Sequence, residues 1–166
     1  MLNGSIALGH GFGTAQYSLV RNLEGITPDE ALKSPEAGGN CINWVAGHIL
    51  VCRDIILKQL GAETFLGEEE GKPYRRGSDP LDPGASCIHL SRLIEGLEKT
   101  SAVLVEKIRS LEEEALARLL DPSGFPVPVE EPTLHAWLML LMFHESYHAG
   151  QVGVLRRLTG KESVLK

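Results

Sequence analysis

The chain has 166 residues, enough for one domain spanning residues 1–166 and too few for two independent cores. With 43% hydrophobic and 23% charged residues it has the composition of an ordinary soluble globular protein. Its formal net charge of −6 argues against nucleic acid as a partner, because phosphate contacts need a basic face.

The N-terminus, MLNGSIALGHGFGTAQ, lacks a basic region followed by a long apolar run, so no signal peptide is expected. No apolar stretch is long enough to span a bilayer; the most apolar, Ala136 to Phe143, is far too short. Cys41, Cys52 and Cys87 are odd in number and have no C-x-x-C spacing, which suits a cytoplasmic protein better than a disulfide framework.

Four segments carry helical periodicity and none shows strand alternation. The first runs from about Ile6 to Glu24, with Leu8, Phe12, Ala15, Leu19 and Leu23 on one stripe. Gly9, Gly11 and Gly13 weaken its start, which places a later beginning near Phe12 in competition. Thr27-Pro28-Asp29-Glu30 reads as a capping box with proline at the first helical position.

The second helix is expected from Asn40, as N-cap, to just before Gly61, with Val45, His48, Ile49, Cys52 and Ile56 inward. The third spans about His89 to Leu111, with Leu90, Leu93, Leu97, Leu104 and Ile108 in steps of three and four. The fourth opens at Thr133 and closes at Gly160, with Arg156 and Arg157 placed to meet its C-terminal dipole.

Between the second and third helices lies a long polar segment, GAETFLGEEEGKPYRRGSDPLDPGAS, too long for a turn and suited to a cover or crossover. Its Glu68-Glu69-Glu70 run reads as solvated loop. A second connection, DPSGFPVPVEEPT, is too proline-rich to be helical throughout. Together these elements predict an all-α four-helix bundle with long crossover connections.

On the fourth helix His144 and His148 lie four apart, so both imidazoles can reach one ion. Trp137, Leu141, His144, His148, Gln151 and Leu155 share a stripe, which turns both histidines toward the interior. His48 faces inward from the second helix in the same way. Buried histidines are most often satisfied by a carbonyl or water. Two on one stripe need partners, and a third on a facing helix completes a set that suits Zn, Ni or Fe. Periodicity alone leaves both readings open. His10, His89 and His135 lie off the buried stripes, near helix starts, and suit surface roles.

His144-Glu145-Ser146-Tyr147-His148 also matches H-E-x-x-H, in which the glutamate of a zinc peptidase activates water. The extended metzincin form needs glycine at 151 and histidine at 154, where this chain has Gln151 and Val154. Few residues follow His148 to supply another ligand, and no strand is readable beside it. Peptidase activity is therefore not expected.

Asn43-Trp44-Val45-Ala46-Gly47-His48-Ile49, followed by His144-Glu145-Ser146-Tyr147-His148-Ala149-Gly150-Gln151, resembles the DinB-like superfamily. Its members pair W-x-x-G-H on the second helix with H-x-x-x-H-x-G-Q on the last. Leu23 to Glu30 is similar to the family's connection between helices one and two. The resemblance implies a bundle of unusual connectivity, a divalent metal ion on His48, His144 and His148, and homodimers paired through bundle helices. Characterised relatives include transferases and isomerases that use a low-molecular-weight thiol such as bacillithiol or mycothiol.

The expected function is thus a metal-dependent transferase adding a small thiol to an electrophilic small-molecule substrate. A metallohydrolase that activates water with Glu145 as base, and a non-catalytic metal-binding stress-response bundle, are the alternatives. Glu145 and Gln151 are candidates to orient a water or thiol, or to hydrogen-bond the outer ring nitrogens of the ligands. Cys52, one turn beyond His48, is either a fourth ligand or a small core residue. Tyr147 is expected to pack away from the histidines. Gly150 and Gly153 suit either close backbone approach or room for a ligand.

Overall fold

A computed structural model of the protein describes residues 3–36, 38–81 and 87–164. Part of the long polar segment, residues 82–86, lies outside them. Among the described residues the structure is helical, with a single antiparallel bridge between Leu119 and Thr133. The long helices are α1 (Gly4–Leu23), α3 (Ile42–Gln59), α5 (Leu90–Arg109) and α7 (Leu134–Leu158). Short helices α2 (Pro28–Ala31), α4 (Glu68–Gly71) and α6 (Glu113–Leu116) interrupt the connections. None of these helices is long and apolar enough to cross a membrane.

The ends follow local chemistry with three corrections. First, α1 begins at Gly4 rather than near Phe12, because Asn3 caps it by accepting from the Ser5 N–H. Gly9 and Gly11 sit against the side chains of Arg109 and Met142, so tertiary packing overrides their poor propensity. Second, Cys41 rather than Asn40 occupies the cap position of α3, and its side chain makes no capping bond. Third, Glu68-Glu69-Glu70 is a helical turn, and the three carboxylates pair with Arg75, Lys72 and Arg92 respectively. The Thr27–Glu30 capping box forms with both bonds in place.

α1 packs against α5 and α7, and α3 packs against the same two. α1 and α3 therefore lie across one diagonal, and α5 and α7 across the other. Two apolar clusters fix the directions. One gathers Leu19, Leu23, Leu50, Leu93, Leu97, Val152 and Leu155; the other gathers Leu8, Phe12, Ile56, Leu104, Ile108 and Leu138. α1 and α7 thus run one way and α3 and α5 the other, giving an up-down-down-up bundle.

Because α3 and α5 are parallel neighbours, residues 60–89 must travel back along an 18-residue helix, about 27 Å. This return path explains the long connection. It also lays a single 3₁₀ turn, Lys72–Tyr74, against the N-terminal half of α3.

Candidate metal centre

The return segment is held down by the very residues that precede His48. Trp44 Nε1 donates to the Pro73 carbonyl and to Ser78 Oγ at 3.0 and 2.9 Å. Tyr74, fully buried, donates its hydroxyl to Asn43 Oδ1 at 3.1 Å and accepts from the Ile88 N–H at 2.8 Å. Asn43 in turn donates to the Ile88 carbonyl at 2.9 Å. Gly47 lets the Tyr74 ring lie on α3, since a β-carbon there would overlap it. Each of Asn43, Trp44 and Gly47 thus has a positioning task.

That task ends at His48. Its Nδ1–H donates to the Tyr74 carbonyl at 2.7 Å, and Trp44 stacks on the ring with centroids 4.7 Å apart and planes 14° from parallel. The tautomer is thereby fixed with the lone pair on Nε2. On α7, Gln151 Oε1 lies 2.9 Å from His148 Nδ1 and fixes His148 in the same way. The Nε2 atoms of His48 and His148 then lie 3.3 and 3.1 Å from His144 Nε2. His144 Nδ1 is buried with no hydrogen-bond partner among the described residues.

A proton on His144 Nε2 can serve only one of the two facing lone pairs. A cation serves all three. Ligand nitrogens at roughly 2.0–2.1 Å from a tetrahedral ion lie roughly 3.3–3.4 Å apart, and around an octahedral ion roughly 2.9 Å. The observed spacings fall in that span. His48, His144 and His148 could together bind one metal ion, and their ligating atoms all lie within 4.8 Å of one another.

The electrostatics point the same way. Burial holds His144 down at about 4, helped by the neighbouring His148 and His48 and then by Arg76. Burial also lowers His48, against the Tyr74 carbonyl bond, and His148, against the Gln151 bond. All three imidazoles are kept neutral, the form that ligates metal.

Cys52 Sγ lies 3.8 Å from His48 Nε2, but burial and the Glu145 charge push its thiol up to about 12. Without a bound cation it remains a thiol.

Glu145 occupies a different place from its neighbours. The inner line of α7 passes through Leu134, Leu138, Glu145, Ala149 and Val152, and His144 and His148 sit half-buried beside it. The Glu145 carboxylate forms a bidentate pair with Arg53 Nε and Nη2. Arg53, 1% exposed, also donates to the Leu97 carbonyl, Thr100 Oγ1 and Gln16 Oε1. Glu145 therefore bonds neither a ligand ring nor a solvent-facing position. The inward stripe expected through His144 and His148 is rotated by about one residue, roughly 100°.

Several residues of the site were missed in sequence. Arg53 had a signal, a cation four residues after Ile49 on an apolar stripe. Tyr74 had none, since it acts through its backbone carbonyl from an irregular segment. Tyr147 is 63% exposed and meets the His148 ring edge-on, so it neither points away from the histidines nor packs. A β-carbon at Gly153 would press on Asn22 of α1, whereas one at Gly150 would meet nothing within 4 Å among the described residues. His89 caps α5 by accepting from the Ser91 N–H, His10 lies on the surface beside Arg109, and His135 contacts Gly4.

Two hollows border the histidine cluster among the described residues. A cleft of about 1010 Å³ is bordered by His48 and Cys52 of α3 and by Thr64, Leu66, Arg75 and Arg76 of the return segment. A smaller apolar hollow of about 320 Å³ is lined by Pro126, Leu140, Leu141, Phe143, His144 and Tyr147.

A family model described as the DinB superfamily matches residues 12–152, which include both histidine segments. The chain belongs to the DinB superfamily. Among solved structures, the chain is similar to a conserved protein from Enterococcus faecalis, with a TM-score of 0.72 at 18% identity. That likeness covers 97% of this chain and all of the other, and it speaks for the fold alone. No curated protein matches the chain.

Proposed function

We propose that the protein is a metal-dependent transferase that adds a low-molecular-weight thiol to an electrophilic small molecule. The observation that carries this reading is the convergence of three buried or half-buried imidazoles, two of them oriented through their Nδ1 atoms, beside a cleft that His48 borders. His48, His144 and His148 would hold a divalent ion of the Zn, Ni or Fe class. When bound, such an ion supplies Lewis acidity that favours thiolate over thiol. Tyr74 and Gln151 orient two of the rings, and Trp44 limits solvent access to His48. The cleft beside His48, which charged side chains border, and the wholly apolar hollow beside His144 suit two chemically different reactants.

The hydrolytic alternative draws less support, because both Glu145 oxygens are engaged by Arg53. Metal-loaded protein, incubated with a panel of thiols and a fluorogenic electrophile, is expected to show thiol-dependent turnover that His48→Ala abolishes. A rate equal to that of His48→Ala with every thiol contradicts the reading. Thiol-independent ester cleavage lost in Glu145→Gln would favour the hydrolase instead.

A homodimer is proposed on the outer face of α7, where Phe143, Tyr147, Val154 and Leu158 form an exposed apolar stripe, 50–66% accessible. Light scattering should give twice the chain mass, and Val154→Glu the single mass. The three free cysteines support a reducing, cytoplasmic setting.

A further inference from the structure

The cleft beside His48 carries charges of both signs, and they are not equivalent. Asp54 is tied to the Phe65 and Leu66 N–H groups at 2.7 and 2.9 Å, so it serves the loop. Arg75 faces Glu68 at 3.7 Å. Lys58 lies ten residues beyond His48 on α3, about 15 Å along the axis. Arg76 differs from all of these. It borders the cleft, it is exposed, and it has no ion-pair or hydrogen-bond partner among the described residues.

The position of Arg76 is fixed by the same segment that orients the histidine. It follows Tyr74, whose carbonyl accepts from His48 Nδ1, by two residues. Beyond it Gly77 takes a left-handed turn at φ 81°, and the Ser78 N–H bonds back to the Arg75 carbonyl at 3.0 Å. Ser78 Oγ accepts from Trp44 Nε1 and donates to the Pro73 carbonyl, which closes the turn on α3. The backbone that carries the guanidinium is thus pinned beside the cleft. His48 borders the same cleft as Arg76.

We propose that Arg76 is a specificity residue that anchors a carboxylate of the thiol substrate, while the sulfur is directed to the three-histidine cluster. This rests on the thiol-transferase reading and narrows it to thiols that carry an anionic group. A planar guanidinium suits a carboxylate through paired N–H donors, and a neutral thiol of equal length would lack that contact.

The test uses the cobalt(II)-loaded full chain, titrated with 3-mercaptopropionate and with 2-mercaptoethanol, and reads the thiolate-to-cobalt charge-transfer band. The charged thiol should bind about tenfold more tightly in the wild type, and less so at high salt. Arg76→Gln should abolish that preference while leaving 2-mercaptoethanol binding and the cobalt d–d bands unchanged. Arg76→Lys should keep part of it. Equal affinities in the wild type, or a preference that survives Arg76→Gln, overturn the proposal.

A metal-free arm separates the two ideas. Propionate titrated into the metal-free protein should shift the Arg76 Nε–H resonance. Absence of that shift removes the anion site even if cobalt binds. Absence of cobalt bands with the shift intact removes the metal reading and leaves the anion site standing.

Discussion

Two polar clusters lie side by side between α3 and α7, built from Arg53 with Glu145 and from His48 with His144 and His148. In the first, both carboxylate oxygens meet the guanidinium, and the remaining guanidinium N–H groups meet the Leu97 carbonyl, Thr100 and Gln16. This layer separates the two apolar clusters and is closed on itself. In the second, the outer nitrogens of His48 and His148 are satisfied, while three Nε2 atoms face one another and His144 Nδ1 has no partner among the described residues. A closed polar cluster holds a fold together. One whose lone pairs converge is arranged for something not supplied by the chain.

The sharpest way to break this distinction is to remove one member from each cluster. Glu145→Ala leaves Arg53 buried and unpaired, and should cost about 3–5 kcal/mol in urea unfolding. His144→Ala in the metal-free protein should cost far less, because it also relieves the crowding of lone pairs. If Glu145→Ala instead folds with wild-type stability and only loses turnover, the assignment of Glu145 to the structural layer fails.

Gly47→Ala probes the link between fold and site. The added methyl meets the Tyr74 ring and should cost about 1–3 kcal/mol as overpacking. It should also weaken zinc binding, measured by competition with a chromophoric chelator, because the Tyr74 carbonyl no longer holds His48. Gln151→Ala is the milder counterpart. Stability should stay within about 0.5 kcal/mol of wild type, while metal affinity falls by about tenfold or more.

pH gives the smallest and most graded effect. Burial lowers all three histidines, with His144 at about 4, so each folded value lies below the ordinary value near 6.5. As pH falls through about 6.5 the unfolded chain takes up protons first, and stability is lost progressively down to the folded values. The metal-free protein should therefore melt at lower temperature from about pH 6.5 toward 4, recovering above that window. His144→Gln should flatten the slope.

Much of the bundle was legible in the sequence because α1, α3, α5 and α7 each carry an apolar stripe, and because Thr27 and Thr133 signal the starts of α2 and α7. The parallel pairing of α3 with α5 was not, since periodicity says which face is buried but not which neighbour buries it. The three histidines were legible for the same reason as the helices, through spacing on inner or near-inner stripes. The rotation of about one residue on α7 was not, because Glu145 on an inner line looks like an error until Arg53 is seen opposite. Tyr74 and Arg76 lie on an irregular return segment, where sequence carries no period to place them.

The central claim is that His48, His144 and His148 form one divalent-metal site. Elemental analysis of the purified protein after loading and desalting, beside His48→Ala, His144→Ala and Glu145→Gln, tests it most directly. The account predicts one zinc, nickel or iron per wild-type chain, loss in both histidine variants, and retention in whatever Glu145→Gln remains folded. No stoichiometric metal in the wild type under any loading condition, or full occupancy in His144→Ala, would contradict it.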